Sequence, residues 1–279
     1  MDNKKKAVLL MTLAAFSFTI MQLFVKLAEE IPLYEKVMFR NSISLLVSLS
    51  ILIKYKKPVI PKKKNRIALF FRCLFGLLGV IFFFYAIDNL IMSDASILNR
   101  LSPFFTIIFA ATFLKEKVNK YHFFILISVF IGILLIVKPK FDLSILPAVI
   151  GILSALFAGA AYTILRFLKE ENTYTIIFAF SLFSVLGLIP FVATDFIVPG
   201  SMELLQLLMI GVFASLGQIS ITLSYKYAPA SQVSVYNYLS VIFALITGFI
   251  VFKEIPDFYS LLGTGIVLTM AYLNYRLMN

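Results

Sequence analysis

The sequence predicts an all-α membrane protein with ten transmembrane helices arranged as two inverted five-helix repeats. Three observations predict this fold class. First, 61% of the 279 residues are hydrophobic and only 14% are charged, against about 25% charged residues in a soluble domain. Second, the apolar residues come in blocks of about 20, the length of helix that crosses a bilayer. Third, one stretch of 29 residues occurs twice in related form.

The predicted spans follow one another through short connections. The longest connection, 54–66, carries six lysines, two prolines and an arginine. It is too short to fold as a domain, so the sequence predicts one membrane-embedded body. The ten predicted spans are 7–27, 34–53, 67–87, 93–114, 121–137, 145–166, 174–193, 203–224, 231–252 and 258–275.

The internal repeat aligns residues 93–121 with 231–259 without a gap, and ten of these 29 positions are identical. Chance would give about two or three, because few residue types exceed about a tenth of usage. A repeat of this length indicates an internally duplicated architecture. The identical pairs are Ser93/Ser231, Ser96/Ser234, Asn99/Asn237, Leu101/Leu239, Ser102/Ser240, Phe105/Phe243, Ile108/Ile246, Lys115/Lys253, Glu116/Glu254 and Tyr121/Tyr259.

The positive charge predicts the orientation of the chain. The net charge of +11 lies beside membrane spans, where positive residues favour the cytoplasmic side, so nucleic acid is not the expected partner. With a cytoplasmic N-terminus, 18 lysines and arginines, Arg72 among them, fall inside and five fall outside; Arg40 and Arg100 lie within spans. The split predicts that both termini are cytoplasmic.

The ten predicted spans divide into two repeats, residues 1–141 and residues 142–279. Each holds five spans, and because five is odd, the second repeat enters the membrane from the opposite side. Lys115 and Glu116 are then expected at the cytoplasmic face, and Lys253 and Glu254 at the outer face. Inverted repeats of this kind are typical of secondary transporters, whose substrate site lies between the repeats.

The ends of the fourth and ninth spans carry a family resemblance. The fourth reads Leu101-Ser102-Pro103-Phe104, then apolar residues, then Leu114-Lys115-Glu116; the ninth reads Leu239-Ser240, then apolar residues, then Phe252-Lys253-Glu254. With ten spans and an arginine in the second, the chain resembles the drug/metabolite transporter superfamily, EamA type. One departure is Val241, which stands where the first repeat has Pro103. The resemblance implies export or exchange of amino acids and other small metabolites.

Arg100 is the main candidate for binding a substrate. A charge inside a span costs from about 2.5 to more than 10 kcal/mol and usually faces a cavity or a partner. Ser96, Asn99 and Arg100 share one broad helix face by their spacing, and Asn237 and Tyr238 are the repeat equivalents of Asn99 and Arg100. We expect Arg100 to bind an anionic group, with Tyr238 across the cavity. The alternative is an ion pair with Asp88 or Asp94.

Other polar residues of the spans admit two interpretations. Asn99 and Asn237 either bind substrate or join helices through hydrogen bonds worth about 0.6–2 kcal/mol. A cavity between the third, sixth, eighth and ninth spans would collect their polar groups, Tyr85, Tyr162, Tyr225, Tyr236 and Gln218. Of these, Tyr85, Tyr162 and Gln218 complete the set of predicted binding residues.

Arg40 and Glu116 are expected to be structural. Arg40 either forms a gate or contacts an anionic substrate, or, as we favour, it forms a structural ion pair with Glu35 or a bond to helix ends. Glu116 ends a span beside a lysine, and we expect it to cap the N-terminus of a neighbouring helix, where backbone N–H groups lack partners.

The composition also narrows the function. No acidic residue lies near the centre of a predicted span, which favours facilitated export or exchange over proton coupling. One histidine and one cysteine leave no catalytic triad or zinc site, so no enzyme activity and no cofactor are expected. The sequence predicts a secondary transporter of the inner membrane, monomer or homodimer, for an amino-acid-like or carboxylate-bearing metabolite. The alternative is a broad-specificity exporter of amphipathic compounds.

Overall fold

The computed structural model describes residues 3–89, 98–116, 120–137, 145–252 and 258–278, and these residues form helices joined by short connections. A 3-10 turn, Lys63–Asn65, precedes the third long helix, and a four-residue helix, Ala230–Val233, with a 3-10 turn, Ser234–Tyr238, precedes the ninth. The long helices are α1 Asn3–Leu27, α2 Leu33–Lys54, α3 Arg66–Asn89, α4 Ser102–Phe113, α5 Lys120–Val137, α6 Ile145–Phe167, α7 Thr173–Val192, α8 Ser201–Tyr227, α9 Leu239–Phe252 and α10 Phe258–Met278.

Six of the described helices, α1, α2, α3, α6, α7 and α8, are long and apolar enough to cross a membrane, and shorter apolar helices lie within α4, α5 and α10. Large apolar side chains such as Leu46, Ile53 and Phe113 are exposed on the outer surface, as expected of a chain surrounded by lipid. The all-helical membrane fold is confirmed for this part of the chain, and the count of ten spans stays a prediction.

The fourth and ninth predicted spans each contain a break in regular helix. In the fourth, residues 98–99 are helical and 100–101 form a turn; α4 then begins at Ser102 with Pro103 in its first turn, a position that suits proline because it has no N–H to pair. In the ninth, α9 begins at Leu239, after the 3-10 turn. From the first turn of α9, the Ser240 hydroxyl donates to the carbonyl of Asn237 in the 3-10 turn at 2.5 Å. Such side-chain bonds compete with the helical backbone pattern.

Helices pack mainly against helices from the other half of the sequence. α1 packs most extensively against α8, α3 against α6, α5 against α10 and α2 against α7. Each of these pairs joins a helix of residues 1–141 to a helix of residues 142–279, and contacts between helices of one half are much smaller. The two halves are therefore interleaved and share one core.

Small residues allow these pairs to approach closely. A methyl group at Gly79 would lie 3.2 Å from the backbone nitrogen of Ala158, so α3 and α6 touch there backbone to backbone; one at Gly159 would lie 3.0 Å from the backbone nitrogen of Thr106 on α4. Hydroxyl groups also join helices: the Ser44 and Ser215 hydroxyls form a hydrogen bond of 2.8 Å between α2 and α8. Close contact and interhelical hydrogen bonds hold helices together in lipid, where water drives no association.

Candidate functional site

A cavity of about 100 Å³ lies between the helices, and most of the predicted binding residues line it. Its walls come from α1, α2, α3, α6, α7 and α8, with the segments just before α4 and around the start of α9. We call it the arginine cavity. The lining residues are Phe18, Met21, Gln22, Arg40, Arg72, Gly76, Gly79, Val80, Phe83, Phe84, Asn99, Arg100, Ala158, Ala161, Tyr162, Phe180, Gln218, Asn237 and Ser240.

Three arginines from three different segments meet at this cavity. Arg40 lies on α2, Arg72 on α3, and Arg100 just before α4. Arg40 and Arg72 are 6% and 2% exposed, and Tyr162 lines the cavity with them. Among the residues that the structure describes, no aspartate or glutamate lines the cavity. The site is therefore strongly cationic.

Arg72 reaches the cavity because a glycine one turn along α3 leaves room for it. A methyl group at Gly76 would overlap Nη1 of Arg72 and approach the Phe180 ring. The guanidinium lies over that ring, 4.6 Å from its centroid, an arrangement that attracts a cation to the aromatic face. Nε and Nη1 of Arg72 have no hydrogen-bond partner. The assignment of Arg72 to the cytoplasmic face is therefore wrong.

The expected ion pair between Arg40 and Glu35 is also wrong. Nη1 of Arg40 donates to the Asn41 side-chain oxygen at 3.0 Å, and its Nε has no partner. Glu35 instead accepts from the backbone N–H of Ile197 at 3.2 Å, and its other carboxylate oxygen is unpartnered. The two residues are five positions apart, which does not place them on the same helix face. Arg40 thus turns inward to the cavity.

Arg100 is held at the junction of the two halves. Its Nη1 donates to the Ser240 hydroxyl at 2.5 Å, and its backbone carbonyl accepts from the Tyr238 hydroxyl at 2.9 Å. Tyr238 is fully buried and lies against Arg100, so the expectation that it faces Arg100 across the cavity is not met. The predicted alternative ion-pair partners of Arg100 are Asp88 and Asp94. The Asp88 side chain and Asp94 both lie outside the described residues.

Amide groups and a phenol complete the polar lining. The Asn99 amide donates to the Ser154 hydroxyl at 3.2 Å. This hydrogen bond also joins the segment before α4 to α6. The Gln218 amide donates to the Thr222 hydroxyl one turn along α8, at 3.4 Å. Asn237 lines the cavity, and Tyr162 stacks on Tyr225 with ring centroids 5.6 Å apart. These groups offer neutral donors and acceptors beside the arginines.

The predicted and observed lining residues differ at several positions. Tyr85 is half-buried near the end of α3 but does not line the cavity, and Ser96 lies outside the described residues. The sequence interpretation did not select Arg72, Gln22 or Ser240. Arg72 falls inside the predicted third span, and a charge within a span is itself the signal that could have identified it.

Glu116 caps a neighbouring helix, as predicted. Its carboxylate accepts from the backbone N–H of Ser231 at 3.2 Å and from that residue's hydroxyl at 3.0 Å, at the start of the Ala230–Val233 helix. Lys115 adopts φ 53°, which ends α4 and turns the chain toward this contact. Arg166 donates to Glu116 at 3.3 Å and to the Lys226 carbonyl at 3.1 Å. The repeat equivalents Glu254 and Ser93 lie outside the described residues.

Comparison with known proteins gives a consistent picture. Residues 5–138 and residues 145–276 each match the sequence profile of the EamA-like transporter family. The pseudopaline exporter of Pseudomonas aeruginosa is 36% identical over 97% of this chain and 96% of that protein. The S-adenosylmethionine uptake transporter of Rickettsia conorii is 25% identical over 84% of this chain and 80% of that protein.

A solved crystal structure has the same fold. It superposes with a TM-score of 0.86 at 14% sequence identity, and the match covers 99% of this chain and 100% of that one. At this identity the likeness concerns the fold alone.

Proposed function

Because the chain belongs to the EamA-like transporter family and is a multi-pass membrane transporter of small metabolites, we propose that it exports or exchanges a solute bearing at least one carboxylate. The solute binds in the arginine cavity with its carboxylate on Arg100. The observation that carries this proposal is the cationic lining without a described counter-charge. A similar exporter, at 36% identity, supports the outward direction.

The transport cycle proposed is alternating access between two inverted repeats, residues 1–141 and 142–279, within ten spans. The helix pairings support it. Moving five helices along the chain exchanges the α1–α8 pair with the α6–α3 pair, and returns α2–α7 and α5–α10 to themselves. This is the pattern that a pseudo-two-fold axis generates. The family profile, which matches once in each half, supports the same division.

The cavity fits this cycle because both halves build it. Asn99 and Arg100 come from the first half, and Asn237, Ser240, Tyr162 and Gln218 come from the second. When one half moves against the other, the lining separates along a line that passes through the Arg100–Ser240 hydrogen bond. Arg100, Asn99, Asn237, Tyr162 and Gln218 therefore remain our proposed binding residues, with Tyr238 positioning Arg100.

The membrane orientation proposed has both termini in the cytoplasm of a bacterial cell, with the chain in its inner membrane. Labelling tests it directly. The one cysteine, Cys73, is buried and is replaced by alanine as background. New cysteines at Lys115 and Lys253 should then react with impermeant maleimide from opposite sides of the membrane. Reaction from the same side would contradict the inverted repeats.

The transport role of Arg100 is tested in proteoliposomes. Arg100→Gln should lower counterflow of a carboxylate substrate by about 100-fold, since a charge-assisted hydrogen bond of about 2–3 kcal/mol is lost. The control is Arg66→Gln, an exposed arginine at the start of α3. Unchanged counterflow by a folded Arg100→Gln protein would contradict the proposal and favour the exporter of amphipathic compounds, for which Phe18, Phe83 and Phe180 supply an aromatic wall.

A further inference from the structure

The arginine cavity holds more positive charge than one carboxylate can neutralise. Arg40, Arg72 and Arg100 all line it, and three N–H groups, Nε of Arg40 and Nε and Nη1 of Arg72, have no partner. Both arginines are more than nine-tenths buried. The ion pairs Arg166–Glu116 and Lys64–Glu170 both lie away from the cavity.

Such an arrangement opposes folding unless something offsets it. Like charges repel more strongly where water is scarce, and a buried donor without a partner carries an uncompensated desolvation penalty. Arginine is charged at every physiological pH, so these groups cannot escape the penalty by losing a proton. The forked guanidinium matches the two oxygens of a carboxylate or phosphate. The groups that satisfy this lining are anions supplied by the solute.

We infer that the solute carries at least two anionic groups, carboxylate or phosphate, which Arg40, Arg72 and Arg100 bind together. This inference rests on the proposed function and specifies the class of its substrate. Arg100 binds one anionic group at the junction of the halves. Arg72, whose free N–H groups lie over Gly76, binds a second group with Arg40. Tyr162 lines the same cavity, and its hydroxyl donates to the bound anion.

The size and the remaining lining restrict the solute further. A cavity of about 100 Å³ is below the roughly 300–1,000 Å³ of sites for drug-sized ligands, which favours a compact polyanion. The side-chain amides of Asn99 and Gln218 donate hydrogen bonds to the hydroxyls of Ser154 and Thr222, and they can turn to hydroxyl or amino groups of the solute. The Phe180 ring covers one side of Arg72 and leaves the other for the anion.

A matched ligand series tests this inference. The melting temperature of the purified full-length protein in detergent is measured with butyrate, succinate and tricarballylate, which carry one, two and three carboxylates. A ligand that prefers the folded form stabilises it by RT ln(1 + [L]/Kd), so at equal concentration a tighter ligand raises the melting temperature more. Each added carboxylate should tighten binding by about tenfold or more. Glycerol 3-phosphate and 2,3-bisphosphoglycerate form the parallel phosphate series and distinguish the two sources of anion.

The outcomes separate this inference from the proposed function. If butyrate, succinate and tricarballylate stabilised the protein equally, or if butyrate alone did, the polyanion inference would be overturned. The proposed function as a carboxylate transporter would be unaffected. No stabilisation by any member of either series, or by amino acids, would overturn both. If the melting temperature rose steeply in the phosphate series alone, the inference of a polyanionic solute would stand, and the carboxylate would be replaced by phosphate.

Arg72→Gln provides a second, independent measurement. Removing an unpartnered buried charge should leave the ligand-free protein at least as stable thermally as the wild type. The same change should weaken tricarballylate binding by about tenfold or more and leave butyrate binding unchanged. A structural role predicts the opposite result, a lower melting temperature with an unchanged ligand series. The control is again Arg66→Gln on the same helix, which should alter neither quantity.

Discussion

The two halves of the chain contribute opposite chemistry to one cavity. Residues 1–141 supply all three arginines, on α2, α3 and before α4, whereas the second half supplies amides, hydroxyls and rings, among them Gln218, Asn237 and Phe180. The helix pairing is the one that the proposed repeats predict, but the charge is not repeated. At the aligned positions Arg100 and Tyr238, one half has a cation and the other a phenol that supports it.

This difference teaches how a duplicated frame becomes selective. A symmetrical site would bind a solute in two equivalent orientations. Charge placed on one half alone fixes the anionic groups toward α2 and α3, and leaves the rest of the solute against the amides and rings of α6, α7 and α8. Under the proposed alternating access, this asymmetry predicts that the solute stays on the arginines of the first half when the second half moves. Replacements that reduce the charge of the first half should therefore affect transport most.

The largest effect is expected when two arginines are removed together. Arg40→Gln combined with Arg72→Gln leaves Arg100 alone and makes the first half almost as neutral as the second. Tricarballylate affinity should fall by about 100-fold or more, because two charge-assisted interactions are lost. Isothermal titration calorimetry measures it. The matched control, Arg66→Gln with Arg276→Gln, removes two exposed charges; a fall in the control of similar size would attribute the effect to net charge.

A smaller effect is expected from displacing one arginine without removing it. Gly76→Ala places a methyl group where Nη1 of Arg72 lies and pushes the guanidinium off Phe180. Because the far end of a long side chain can move, the fold should persist while transport falls by about tenfold, the effect of about 1.4 kcal/mol. Proteoliposome counterflow measures the rate. Gly265→Ala on α10 is the control, since a methyl group there meets no atom within 4 Å. Equal rates in the two variants would show that Arg72 need not be positioned.

The smallest effect is expected on the phenol that supports Arg100. Tyr238→Phe removes one hydrogen bond to a backbone carbonyl, worth about 0.5–1.5 kcal/mol. Transport should fall by about threefold to tenfold, a much smaller loss than in Arg100→Gln. Tyr55→Phe, at an exposed tyrosine, should match the wild type in the same assay. If Tyr238→Phe were as inactive as Arg100→Gln, the phenol would have to contact the solute itself.

The sequence predicts much of the fold because each observation used is local. Apolar blocks of span length indicate helices, and the structure has helix at all the predicted spans that it describes, though α4 and α9 begin late. Glu116 is correctly predicted as a cap because its position after Lys115 ends a helix. The pairing of α1 with α8 and of α3 with α6 is not predictable in the same way. Pairing depends on which small residues face each other in space, such as Gly79 and Ala158.

Part of the candidate site is predictable because a polar residue inside an apolar span is also a local signal in the sequence. Arg100, Asn99, Asn237, Tyr162 and Gln218 are polar residues inside apolar spans, and the structure brings these five to one cavity. Arg72 is misassigned because it lies close to the basic connection before α3, so its charge is taken for a cytoplasmic one. The Arg72 side chain points into the cavity because Gly76 leaves room for it and Phe180 packs against its guanidinium. Gly76 and Phe180 are far apart in the sequence, so the sequence does not reveal this contact. Tyr238 is misplaced because alignment gives its equivalent residue but not the distance between the two.

The most direct test is a structure of the protein determined with saturating tricarballylate. The central claim is that the cationic half of the cavity binds the anionic groups of the solute. We expect density in the arginine cavity with carboxylates within hydrogen-bonding distance of Arg72 and Arg100, and Arg40 turned toward the same ligand. A ligand bound elsewhere, or arginines of this cavity paired instead with carboxylates of the protein, would contradict the claim.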